Sequence, residues 1–301
     1  MKFESDCHKG LEGFEFQEEE FNFNGKDVHI YRVGSGHGRG LLFLSGFNSP
    51  IWMYAKLLRT LSESFDVIGL DLPGFNKSEE VSEQMLGPSA QTQCVTEVAS
   101  RYFGRKTKFV IAGHSLGAQV AARAASLIPP TRILSCVCFT PGGLKVGESF
   151  RNLLKPDVSD SDIFNSQKCR GIIETAGPEI GDHFYQFKLQ MLGNGPQKFL
   201  RRQRTMAANW PWENDEQSLF RAHKALGKKL VVVFALDDTK MDNEGCRALL
   251  APEIEKFTVL TEDGTHDLPM LRPLCCAEII RDAADIKGCA SGAGNTEKAV
   301  E

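Results

Sequence analysis

The chain has 301 residues, 42% hydrophobic and 25% charged, the profile of an ordinary globular protein with length enough for one large core. A formal net charge of −4 is too small to imply a nucleic-acid partner, and no run approaches the roughly 20 apolar residues of a membrane span. The first residues are acidic without an apolar run, so no secretory signal is expected, and nine irregularly spaced cysteines with no C-x-x-C pair read as free thiols of a cytoplasmic protein with no metal site.

In chain order, Phe14, Phe16, Phe21 and Phe23 alternate ahead of Asn24-Gly25, the signature of a hairpin whose second arm is residues 28–33. Short apolar runs at 41–45, 66–70, 108–112, 133–139 and 230–235 read as buried strands, and 255–260 as the last. Helical stretches at 53–64, 91–103, 116–127 and 271–284 lie between them. Strands alternating with helices predict a mostly parallel sheet covered on both faces. The alternation stops from Gly143 to about Gly227, where no buried strand is legible. The composition there is polar and helical, and an excursion of that length between core strands reads as a helical lid. The expected division is therefore a core of residues 1–142 and 228–287, a lid of 143–227 and a disordered tail of 288–301.

Chemistry concentrates at Gly113-His114-Ser115-Leu116-Gly117, which follows the apolar run 109–112 and precedes a helix. A G-x-S-x-G match is weak alone. Between a strand and a helix it predicts a sharp turn that lifts a serine oxygen above the sheet, with glycines where side chains would clash. The hydroxyl needs a base. Of seven histidines, His266 alone follows the final predicted strand and precedes the last helix; His114 should point away from the serine. The base needs a carboxylate to orient it. Asp237 and Asp238 both stand at the end of the strand 230–235, with Asp242 further along; Asp238 is preferred. An oxyanion hole is expected from the backbone N–H of Leu116 and of Phe47, the latter in Ser45-Gly46-Phe47-Asn48-Ser49-Pro50.

Together these residues resemble the α/β-hydrolase superfamily in its lid-bearing, serine esterase-like branch. The stretch 67–78, with Asp71-Leu72-Pro73-Gly74-Phe75-Asn76-Lys77-Ser78, is similar to the family's D-x-P-G-x-G-x-S segment, with Asn76 at the second glycine. The resemblance implies a structural role for Asp71. It also favours Asp238, because Ala235 stands where the family often ends its strand with a glycine three residues before the acid. Ser45 departs from the histidine usual before the oxyanion-loop glycine. A serine at the elbow argues against the aspartate-dependent epoxide hydrolases and dehalogenases of this fold. The implied activity is hydrolysis of a small-molecule carboxylic ester or thioester through an acyl-enzyme, with no cofactor. Carbon–carbon bond hydrolysis, perhydrolysis and ligand binding with little turnover are the alternatives. Trp210-Pro211-Trp212, Phe184, Tyr185, Trp52 and Met53 either line an apolar pocket or dock the lid. Lys198, Arg201, Arg202 and Arg204 either attract an anionic substrate or form a solvated helix face.

Overall fold

A computed structural model describes residues 16–47, 49–78, 80–148, 151, 205–206 and 210–285. Among these, eight strands form one sheet in the order β1-β2-β4-β3-β5-β6-β7-β8. The hairpin β1 (Gln17–Phe23) and β2 (Lys26–Val33) pairs antiparallel, with Phe23 opposite Lys26. Asn24 and Gly25 both take positive φ, the tight turn that matches strand twist. β2 pairs antiparallel with β4 (Asp66–Leu70). The remaining neighbours, β3 (Arg39–Leu44), β5 (Lys108–His114), β6 (Ile133–Phe139), β7 (Leu230–Ala235) and β8 (Thr258–Glu262), run parallel.

Strand alternation divides the core into two apolar layers. Leu42, Leu44, Ile111, Cys136 and Val232 face helices α2 (Pro88–Tyr102) and α3 (Leu116–Ala125). Leu41, Phe43, Val110, Val137 and Val231 face α1 (Ala55–Ser62), whose Leu57, Leu58 and Leu61 supply one buried stripe. Between β6 and β7 lies α4 (Glu216–Leu226), and α5 (Asn243–Leu250) follows β7. A short α6 (Leu268–Leu271) and then α7 (Pro273–Asp285) close the described chain.

Three boundaries differ from the sequence-based expectation. Residues 254–256 form a 3-10 turn, so the last strand starts at Thr258. The final helix splits because Pro273, which cannot continue the preceding turn, begins a new one. Residues 216–226, inside the interval read as a lid, form α4, whose buried Leu219, Ala222 and Leu226 join the core layer of α3. The expected tail, Phe184, Tyr185 and the basic residues 198–204 lie outside the described residues.

Candidate active site

The strand order places β5 near the centre of the sheet, so whatever stands at its C-terminal end meets the loops after β3, β6, β7 and β8. Ser115 stands there, at φ 52 and ψ −115, a backbone conformation costly for a residue with a Cβ. It is held by its neighbours. Its N–H donates to the Phe139 carbonyl at 2.9 Å, and its own carbonyl accepts from Ala118, Gln119 and Gly142. Gly117 makes the tight crossing possible: a Cβ there would land on the carbonyl oxygens of Leu44 and Ser45. At Gly113 a Cβ would strike the Gly117 backbone.

The loop after β8 brings His266 to the serine. His266 Nε2 lies 2.9 Å from Ser115 Oγ, and its Nδ1 lies 2.8 Å from Asp238 Oδ2. An ionised carboxylate only accepts, so Nδ1 carries the proton and Nε2 presents its lone pair to the serine hydroxyl. Asp238 is buried, which by itself opposes its charge. The facing His266 and the N–H groups of Lys240 and Met241, which donate to Oδ1 at 2.8 and 2.9 Å, outweigh burial and hold its carboxyl below the usual range. Asp237, one residue earlier, is exposed. Asp242 accepts from the Gly245 N–H and caps α5. Of the three aspartates weighed from sequence, only Asp238 is hydrogen-bonded to His266.

The two amides expected to stabilise an oxyanion are those of Phe47 and Leu116. The neighbouring Gly46 N–H is occupied by Tyr54 Oη at 3.1 Å, whereas neither the Phe47 nor the Leu116 N–H has an acceptor among the described residues. Leu116 is also the first residue of α3, whose dipole favours negative charge at that end. The Phe47 ring sits edge-on to Phe75 at 5.8 Å and to Trp212 at 5.5 Å, which fixes the loop from its outer side.

Around this centre lie Asp71, whose structural part the resemblance implied, and further residues whose part sequence reasoning did not find. Asp71 is buried and accepts from Tyr31 Oη, Asn76 Nδ2 and the N–H groups of Ile51 and Lys77. Burial nonetheless outweighs these bonds and pushes its carboxyl up. It ties together the turns after β3 and β4, the structural part the resemblance implied. Lys240 Nζ pairs with Asp267 at 3.2 Å, joining the acid loop to the histidine loop; burial opposes the Asp267 charge, but Lys240 prevails and brings its carboxyl down to about 2. On α3, one turn past Ser115, buried Gln119 accepts from Trp210 Nε1 at 2.7 Å and donates to Asp215 Oδ2 at 2.7 Å. Arg123 pairs with the same oxygen at 2.7 Å. Trp210 is thus bonded into the core, and Trp212 Nε1 donates to the Met206 carbonyl. Among the described residues, no cluster of three or more His, Cys, Asp or Glu side chains could hold a metal ion, and no helix is long and apolar enough to cross a membrane.

A mostly parallel sheet with helices on both faces, and a Ser–His–Asp hydrogen-bond chain at its C-terminal rim, define a class. Residues 41–274 match the alpha/beta hydrolase family, and the chain belongs to it, as a hydrolase enzyme. Among curated relatives, the pimeloyl-[acyl-carrier protein] methyl ester esterase of Pseudoalteromonas atlantica is 33% identical over 101 residues. That stretch spans 34% of this chain and only 36% of the relative. Human monoacylglycerol lipase ABHD6 is 24% identical over 271 residues, 84% of this chain and 77% of the relative. Among solved structures, a bacterial membrane phospholipase A superposes with a TM-score of 0.75 at 17% identity, covering 93% of this chain and 89% of that one.

Proposed function

We propose that this protein is a serine hydrolase that cleaves a small-molecule carboxylic ester or thioester through an acyl-enzyme. The observation that carries the reading is the continuous chain Ser115 Oγ–His266–Asp238, with contacts of 2.9 and 2.8 Å. In the first half-reaction Ser115 Oγ attacks the acyl carbon while its proton passes to His266 Nε2. The carbonyl oxygen becomes an oxyanion between the N–H groups of Phe47 and Leu116. Collapse of that tetrahedral species breaks the bond to the alcohol or thiol, which leaves with the proton from His266. Water then attacks the acyl carbon by the same route, releasing the acid and restoring Ser115. Asp238 holds the imidazole in the required tautomer and offsets its charge when protonated. Every step uses a group of the chain, so the mechanism needs no cofactor.

Two relatives, named as a methyl ester esterase and a monoacylglycerol lipase, support an ester as substrate. The interval between β6 and α4 acts in this reading as a lid, which the contact of Trp212 with the Phe47 ring supports. The described cysteines form no disulfide, which suits a cytoplasmic location.

A fluorophosphonate probe is expected to label Ser115 in folded protein, and Ser115→Ala to abolish both labelling and hydrolysis of nitrophenyl esters. Wild-type protein that neither takes up the probe nor turns over any ester of a graded chain-length series would overturn the proposal.

A further inference from the structure

Beside the serine, a second and buried line of hydrogen bonds crosses the site. The Gly46 N–H donates to Tyr54 Oη at 3.1 Å. Tyr54 Oη lies 2.7 Å from His114 Nδ1, and His114 Nε2 lies 2.8 Å from the carbonyl oxygen of His266. The two ends settle the direction of every bond between them. An amide N–H can only donate and a carbonyl can only accept. Tyr54 therefore accepts from Gly46 and gives its own proton to His114 Nδ1, which leaves His114 Nε2–H to donate to the His266 carbonyl. Both rings are buried, so neither can exchange these partners for water. The His266 carbonyl accepts a second bond from Thr140 Oγ1 at 3.1 Å, and Thr140 holds a positive φ of 41 to make it. Gly46 has no alternative at this position, because a Cβ would press on His114 Nδ1.

We infer that Tyr54 and His114 are positioning residues that set the oxyanion loop and the general-base loop against one another as a single unit. This rests on the reading of Ser115 as nucleophile and His266 as base. Gly46 precedes the proposed oxyanion donor Phe47, and the carbonyl held by His114 belongs to the residue that supplies the base. The line thus spans the two groups that must lie on opposite sides of the reacting carbon, although neither Tyr54 nor His114 touches the substrate. It also consumes the Gly46 N–H, whereas the Phe47 N–H beside it has no acceptor among the described residues.

The test compares Tyr54→Phe, His114→Asn and His114→Gln with wild type in steady-state ester hydrolysis, with kcat expressed per fluorophosphonate-titrated site. Asparagine keeps an acceptor near Tyr54 but loses the reach to His266, whereas glutamine keeps an N–H for the His266 carbonyl. Tyr54→Phe and His114→Asn are expected to lower kcat by about 10- to 100-fold, the scale of a small misplacement of reacting groups, with KM little changed. His114→Gln should recover most of the loss, a rescue that a role in bulk packing would not produce. Folded variants with wild-type kcat would overturn the relay while leaving the proposed reaction standing. So would equal losses in the asparagine and glutamine variants, a comparison that holds even where Tyr54→Phe does not fold. Wild-type protein inactive toward both probe and esters would instead remove the reaction and the relay with it.

Discussion

Asp238 shares one buried carboxylate between an imidazole and two backbone amides. Replacing it by asparagine would keep the shape yet favour the wrong imidazole tautomer, so Asp238→Asn is expected to lower kcat by about 10⁴-fold. The exposed neighbour should be silent: Asp237→Asn is expected to leave kcat unchanged in the same assay. Those two residues also mark where sequence reasoning reaches its limit. Both follow the same strand, and spacing alone cannot tell which turns inward. The structure shows the reason in the turn itself, where the Asp238 N–H folds back to the Ala235 carbonyl and carries the side chain over the sheet. His114 raises a different issue. Burial first, and the nearby His266 second, bring its imidazole down to about 3 from an ordinary 6.5. The unfolded chain therefore takes up a proton near pH 6.5 that the folded chain refuses until about pH 3. The sign follows: full stability above that window, eroding at up to about 1.4 kcal/mol per pH unit as pH falls through it. Denaturant titrations of wild type and His114→Gln from pH 7 to pH 4 should show the variant with the flatter profile. Equal slopes would contradict this account.

At the scale of elements, the approach of α3 to β3 decides whether the turn that carries Ser115, the proposed nucleophile, can form. Gly117→Ala would drive a methyl group onto two backbone oxygens, neither of which can yield without moving a central strand. The expected cost exceeds about 3 kcal/mol, the range of severe core lesions, and thermal unfolding followed by circular dichroism would measure it. The elbow was legible because strand, glycines, serine and helix are contiguous. So were the hairpin at Asn24-Gly25 and the central strands, where local pattern and tertiary role agree. Residues 216–226 were legible as part of a helical interval but not as core, since α4 occupies a polar neighbourhood and its core face becomes evident only against α3. The parts that Tyr54, Gln119, Thr140 and Lys240 play at the site escaped notice for a related reason. Each acts on a partner brought near by folding, and no motif of adjacent residues announces such a contact.

On the scale of the whole molecule, the proposed catalytic groups Phe47, Ser115, Leu116, Asp238 and His266 come from four separate strand ends, those of β3, β5, β7 and β8, along one rim. The connection from β6 to α4 leaves and returns at one place. The Gly143 N–H donates to the Trp212 carbonyl, the Asp215 N–H donates to Gly143, and Val146 bridges Met241. Substituting a flexible Gly/Ser linker for residues 152–204 is thus expected to leave protein whose Ser115 still reacts with a fluorophosphonate, but whose rates no longer discriminate among esters of different chain length. Retained discrimination would show that selectivity lies elsewhere. The paired feet work like a socket, because these bonds hold the two ends of the connection beside each other. On the proposed reading, a different insert on the same socket would change which esters are accepted without altering the groups of the reactive centre beneath.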